Sequence, residues 1–172
     1  MPAKFSSLKT LLVAGRDKST GTYGGFFPFS AVKMGLTDYQ FRVGSQIIPP
    51  KPPTTNAEIF SEVLKAMGSI GDINYTPTID KLSFNTAVST ASNDSATLIS
   101  SVSSGSFYIG LDLENYSAAP KDTIFAGANT NTDDIFLIAN FVSPAAINAR
   151  FDAYACFDCV VVCEANTAFV KF

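Results

Sequence analysis

A chain of 172 residues suits one domain, and with 47% hydrophobic and 16% charged residues it can bury roughly 70% of the surface its unfolded form exposes. The net charge of −3, with Lys and Arg scattered singly, excludes the clustered positive footprint that nucleic-acid phosphates require. No stretch approaches the ~20 consecutive apolar residues of a membrane helix, and the absence of histidine removes the commonest general base and metal ligand.

The opening MPAKFSSLKT lacks the apolar core of a secretion signal, so a reducing compartment is expected. The sequons at Asn74, Asn93 and Asn115 then read as chance matches. LLVAG (11–15) and FFPF (26–29) carry strand signals around a polar, Gly-containing turn. GTYGGFF (21–27) has neither the order of a Walker loop nor that of a dinucleotide fingerprint. Phe26, Phe27 and Phe29 beside it are either core or seated against a neighbouring subunit, which makes them the interface candidates.

In YQFRVGSQII (39–48) Tyr39, Phe41 and Val43 alternate with Gln40 and Arg42, so one face is buried. PPKPP (49–53) is a stiff extended connector. A helix over about 56–67 follows: Thr55 and Glu58 form a capping box, and Ile59, Phe60, Val63, Leu64 and Met67 make one apolar stripe. Gly68 stands where a left-handed stop is favoured. The polar stretches 85–97 and 126–134 read as surface loops. SFYIGLDLENY (106–116) alternates with Phe107, Ile109, Leu111 and Leu113 on one face, and DIFLIANF (134–141) reads as a strand covered on both faces. DCVVVCEANTAFVKF ends the chain as two strands joined around 164–167, a hairpin.

All three cysteines fall in ACFDCVVVC (155–163). On an extended strand Cys156 faces away from Cys159 and Cys163, and four residues separate the latter two by about 13 Å. That spacing suits neither a disulfide nor a shared metal, so the cysteines are expected to be buried core residues. NTNTDD (129–134) lacks the Gly and Glu of a calcium loop and reads as an Asx turn before a strand. Asp152 and Asp158 flank an apolar strand with no sign that they converge as an acid–base pair. No catalytic, cofactor-binding or metal-binding residue is assigned.

Two stretches carry a family resemblance. YQFRVGSQIIPPKPPTTNAEIFSEVLKAMG (39–68) is similar to a strand, Pro-rich connector and short helix found late in hexon-like double jelly-roll major capsid proteins. These belong to Polinton-like and related DNA viruses, including their copies integrated in host genomes. FDAYACFDCVVVCEANTAFVKF (151–172) resembles the closing strands of the same C-terminal jelly roll. The resemblance implies a jelly roll that trimerises into a pseudo-hexagonal capsomer and tiles an icosahedral shell. A double jelly-roll chain needs two domains in tandem, whereas 172 residues hold one, so the chain is expected to be the C-terminal roll or a single jelly-roll relative.

The expected fold is therefore all-β: an antiparallel jelly-roll β-sandwich with one inserted helix, forming a single domain over 1–172. The expected function is structural. A virion protein of the capsid would self-associate as a trimer, without enzymatic activity, cofactor, nucleic-acid contact or membrane span, after assembly inside the host cell. The alternative is a sandwich that binds carbohydrate or a receptor.

Overall fold

The structure, a computed structural model, describes residues 4–17, 31–33, 35–68, 79, 81, 84, 106–114, 127–142, 149–165 and 167–171. Phe26, Phe27 and Phe29, the loop 85–97 and the three sequons lie outside the described residues. The described chain is mainly β, in antiparallel sheets, with one α-helix.

One three-stranded sheet has β1 (Leu8–Asp17) at its centre, flanked by β4 (Tyr108–Asp112) and β6 (Ala149–Phe157). The second has β2 (Leu36–Val43) between β3 (Gln46–Ile48) and β5 (Ile135–Phe141). A two-stranded ribbon of β7 (Val160–Glu164) and β8 (Thr167–Lys171) closes the chain. Residues directly opposite in a ladder share a face. Leu11 sits between Leu111 and Ala155, and Val13 between Ile109 and Ala153. Leu11, Val13, Ile109 and Leu111 belong to one buried cluster with Tyr39, Phe41 and Ile135 of the second sheet, Ile59 and Val63 of the helix, Phe84 and Phe107. The Tyr39 hydroxyl donates to the Gly110 carbonyl at 3.1 Å, which ties the two sheets together, and burial pushes its pKa up.

The expected alternation holds in β2, where Tyr39 and Phe41 are fully buried while Arg42 is exposed. The strand ends at Gly44, whose φ of +58° lets β3 fold back onto β2. A Cβ there would also stand 2.9 Å from the Asp133 carboxyl carbon.

The helix α1 spans Asn56–Ala66, as its sequence signals predict. Thr55 accepts from the Glu58 N–H at 3.2 Å, and Glu58 accepts in return from the Thr55 N–H at 3.1 Å and the Thr54 N–H at 2.9 Å. Gly68, at φ +69°, follows the helix in the left-handed region. α1 lies against β4 because Gly110 has no side chain: a Cβ there would meet Ala66 Cβ at 2.9 Å and Val63 Cα at 3.0 Å.

The backbone N–H groups of Thr54 and Thr55 hold the Glu58 carboxyl down to about 2, from its ordinary 4.5. A depressed carboxyl contributes stability above its unfolded pKa and loses it as pH falls toward the folded value. Helix content is therefore expected to drop between pH 4.5 and about 2, and Glu58→Gln to flatten that acid limb in far-UV circular dichroism. Thr55→Ala should cost about 1 kcal/mol in urea denaturation at neutral pH.

β5 departs from expectation. Its apolar run reads as covered on both faces, yet Phe136 is 44% and Ile138 42% exposed while Ile135 is fully buried. The reason is topological. The outer face that β5 shares with β2 has no described layer packed on it, as exposed Arg42 on β2 shows, so only the opposite face of β5 is buried.

Candidate interaction surface

The chain leaves the first sheet at Asp158, and several separate segments converge to hold it there. The Asp158 N–H donates to the Ser7 carbonyl at 3.0 Å. Its carboxylate accepts from the Ser7 hydroxyl at 2.8 Å and pairs with the Lys9 ammonium at 3.1 Å. Lys9 falls where the β1–β6 register slips between Leu8 and Thr10, and such a bulge re-aims a side chain. The hydrogen bond to Asp158 is the largest cause of its raised pKa, against an opposing burial, and Glu114 at 3.5 Å adds to it. Ser7 is fully buried and its hydroxyl also accepts from the Gly127 N–H at 3.0 Å. Phe5 and Phe157 stack beside this knot with ring centroids 4.3 Å apart.

Beyond the knot stands the β7–β8 ribbon. Val161 lies opposite Val170 and Cys163 opposite Ala168 on one face, with Val160 and Val162 on the other. Val161 is 59% exposed and Val170 46%. The ribbon matches the predicted C-terminal hairpin, turning through Ala165 at φ +35°.

The cysteines are a correction. Cys156, Cys159 and Cys163 are free thiols and all three are exposed, not core. Cys156 sits on β6, an edge strand among those described, and Cys163 on a ribbon whose faces both meet solvent. An apolar neighbourhood in sequence therefore does not bury these three positions.

The two aspartates that flank this strand do not converge. Asp152 accepts from Arg16 Nε and from Arg150 Nε, each at 2.6 Å, and Arg16 also donates to the Tyr154 hydroxyl at 2.8 Å. Burial raises the Asp152 pKa, but the hydrogen bonds from Arg16 and Arg150 outweigh it and hold the carboxyl below its ordinary value. Both aspartates are thus locked into separate ion pairs. In 129–134 the Asn131 N–H donates to Asn129 Oδ1 at 3.0 Å, an Asx-type turn, while Asp134 pairs with Lys4 at 3.1 Å.

A small recess lies between β1, β5 and β6, lined by Val13, Leu36, Ile109, Phe141 and Phe151 with Lys33 at its edge. Burial lowers the Lys33 pKa, and its ammonium donates to Asn56 Oδ1 at 2.5 Å, which ties the segment before β2 to α1. No described helix is long and apolar enough to cross a membrane.

The outer face of the second sheet carries Phe136 opposite Arg42, with the guanidinium 4.6 Å from the ring centroid, and Ile138 opposite Gln40. Among the described residues the ten exposed large apolar side chains all lie on or next to β3, β5, β6, β7 and β8, and none lies on β1, β2, β4 or α1. The sequence signals pointed to Phe26, Phe27 and Phe29, which lie outside the described residues. The missed signal was in the last strands, where apolar residues fill both alternating sets. Comparison with protein-family models, with curated proteins and with solved structures gives no match.

Proposed function

We propose that this chain is a structural, capsid-like jelly-roll building block that associates with copies of itself, as a trimeric capsomer of an icosahedral shell. The observation that carries it is the concentration of exposed apolar side chains on the outer strands and the terminal ribbon. Monomeric proteins rarely expose contiguous apolar surface of more than a few hundred Å². A stable protein contact covers about 800 Å² on each partner, with aromatic side chains enriched at its centre. Phe136 on the outer face of the second sheet and Tyr154, on the face of β6 opposite the core residues Val13 and Leu11, are exposed aromatic side chains of that kind.

The strand pairing supports the jelly-roll part. A jelly roll is a long antiparallel hairpin wound around a core, so its first strand pairs with its last and its second with its last but one. Leaving the terminal ribbon aside, β1 pairs with β6 and β2 with β5, both antiparallel. The nesting stops there, since β3 pairs with β2 and β4 with β1. The similarity of 39–68 and 151–172 to hexon-like capsid proteins points the same way. A structural role also accords with the two aspartates near the apolar strand, whose ion pairs hold the sheet and the ribbon.

Light scattering after size exclusion tests the proposal. The mass should rise from one chain toward a discrete multiple, three for a capsomer, as protein concentration increases. A single-chain mass at every concentration and ionic strength would overturn self-association. Carbohydrate or receptor recognition is the second reading, favoured by the solvent-facing row of Phe136, Arg42, Asp38 and Asn140. It gains if that monomer binds a glycan.

A further inference from the structure

Lys33 and Asn56 arrive from two separate parts of the fold and place an amine against a carboxamide. We propose that they are the reactants of an intramolecular isopeptide bond, in which the Lys33 side chain becomes covalently joined to that of Asn56.

Each reactant is held by its own backbone. Lys33 follows Ala31 and Val32, both buried. The Ala31 carbonyl accepts from the Phe107 N–H at 3.0 Å, and the Val32 N–H donates to the Gly15 carbonyl at 2.9 Å. The Lys33 carbonyl accepts from the Leu36 N–H at 3.0 Å. Asn56 is the first residue of α1, directly after the Thr55 cap that Glu58 closes. Groups carried on fixed supports react as if at very high concentration, provided the attacking atom comes within about 3–3.5 Å of its target. Lys33 Nζ donates to Asn56 Oδ1 at 2.5 Å. Cγ lies one carbonyl bond, about 1.2 Å, from that oxygen. Turning the last methylene of Lys33 therefore suffices to bring Nζ over the carbon.

The surroundings favour the nucleophilic form of the amine. Lys33 borders a recess lined by Val32, Leu36, Phe107, Phe141 and Phe151. Burial lowers its pKa, which raises the share of neutral amine at a given pH. Among the described residues no carboxylate pairs with Lys33, whereas Lys4, Lys9, Lys51 and Lys65 each have one. The Phe107 ring centroid is 6.0 Å from Nζ, at the outer limit of a cation–π contact, so it does little to hold the charge.

The bond change balances without a further reactant. Nζ adds to Cγ and the carbonyl electron pair moves onto Oδ1, on the residue at the positive end of α1. As the carbonyl re-forms, the Cγ–Nδ2 bond breaks, and the nitrogen leaves with the protons given up by Nζ. An ammonium and a carboxamide thus become an amide and an ammonium ion. Both side chains are half-buried, so water reaches them to carry the protons and the leaving group. The link joins positions 23 apart and fixes the segment before β2 to α1.

Intact-mass spectrometry of the full chain after prolonged incubation tests this. The chain should lose about 17 Da, the mass of ammonia, and a digest should yield a branched peptide joining Lys33 to Asn56. Lys33→Arg keeps the cation and a donor for Asn56 but has no primary amine, so it should keep the mass of its sequence. Loss of ammonia in equal amount from Lys33→Arg, with no branched peptide from the wild type, would assign the loss to an asparagine succinimide and overturn the proposal. An unchanged mass in the incubated wild-type chain would overturn it as well. Neither readout depends on whether the chain self-associates.

Discussion

Gly127→Ala is expected to be the most damaging small substitution in the described chain, costing about 3 kcal/mol. A Cβ at position 127 would stand 2.5 Å from the Leu8 carbonyl oxygen, 2.6 Å from its carbon and 2.8 Å from the Ser7 carbon. All three are backbone atoms, so no side chain can rotate away. Relief requires opening the bridge in which the Leu8 N–H donates to Ala128 at 2.9 Å and the Ala128 N–H donates back at 2.8 Å. It also pulls the Gly127 N–H from the Ser7 hydroxyl, which is the group that donates to Asp158. The loss of stability should therefore appear as a lower urea midpoint. Gly68→Ala is the comparison, since its φ of +69° is unfavourable for alanine but nothing stands within 4 Å. It should cost only about 1 kcal/mol. Equal urea midpoints for the two variants would contradict the close approach at Gly127.

Asp152→Ala should cost about 3 kcal/mol, the scale of removing one partner from a buried ion pair. The Arg16 side chain is only 5% exposed, so deleting its carboxylate partner leaves a poorly hydrated guanidinium. Arg150 donates to the same carboxylate from a side chain 53% exposed, and Arg150→Ala should cost 1 kcal/mol or less, roughly that of a surface pair. The pH dependence follows from the depressed carboxyl. Its stabilisation is complete above the ordinary aspartate value of 3.8 and is lost as pH falls through the lower folded value. Wild-type protein should thus lose more stability than Asp152→Ala on going from neutral pH to strongly acidic conditions in urea denaturation. An acid limb of equal depth in both proteins would contradict the assignment.

Local signals carried their meaning from sequence into structure; signals that depend on a distant partner did not. Thr55, Glu58 and Gly68 act within a few residues, so the bounds of α1 follow from them. The alternation in 106–113 and 39–43 likewise identifies the buried faces of β4 and β2. The terminal hairpin is also local, formed across a short turn. By contrast, the Arg16–Asp152 pair joins positions 136 apart and the Ser7–Asp158 bond positions 151 apart. Neither has a spacing that periodicity could reveal. The cysteines and β5 share one physical cause. Apolar composition says that a strand face can be covered, whereas the layers packed on the sheet decide whether it is. Among the described residues, Phe136, Ile138, Cys156, Val161 and Cys163 are left exposed.

Amide hydrogen exchange on dilute and concentrated protein would test whether a second copy covers that surface. Protection should rise with concentration in 151–156, 160–165 and 167–171, while α1 and β4 stay unchanged. A mass that increases with concentration while those segments exchange at their dilute rates would contradict the account.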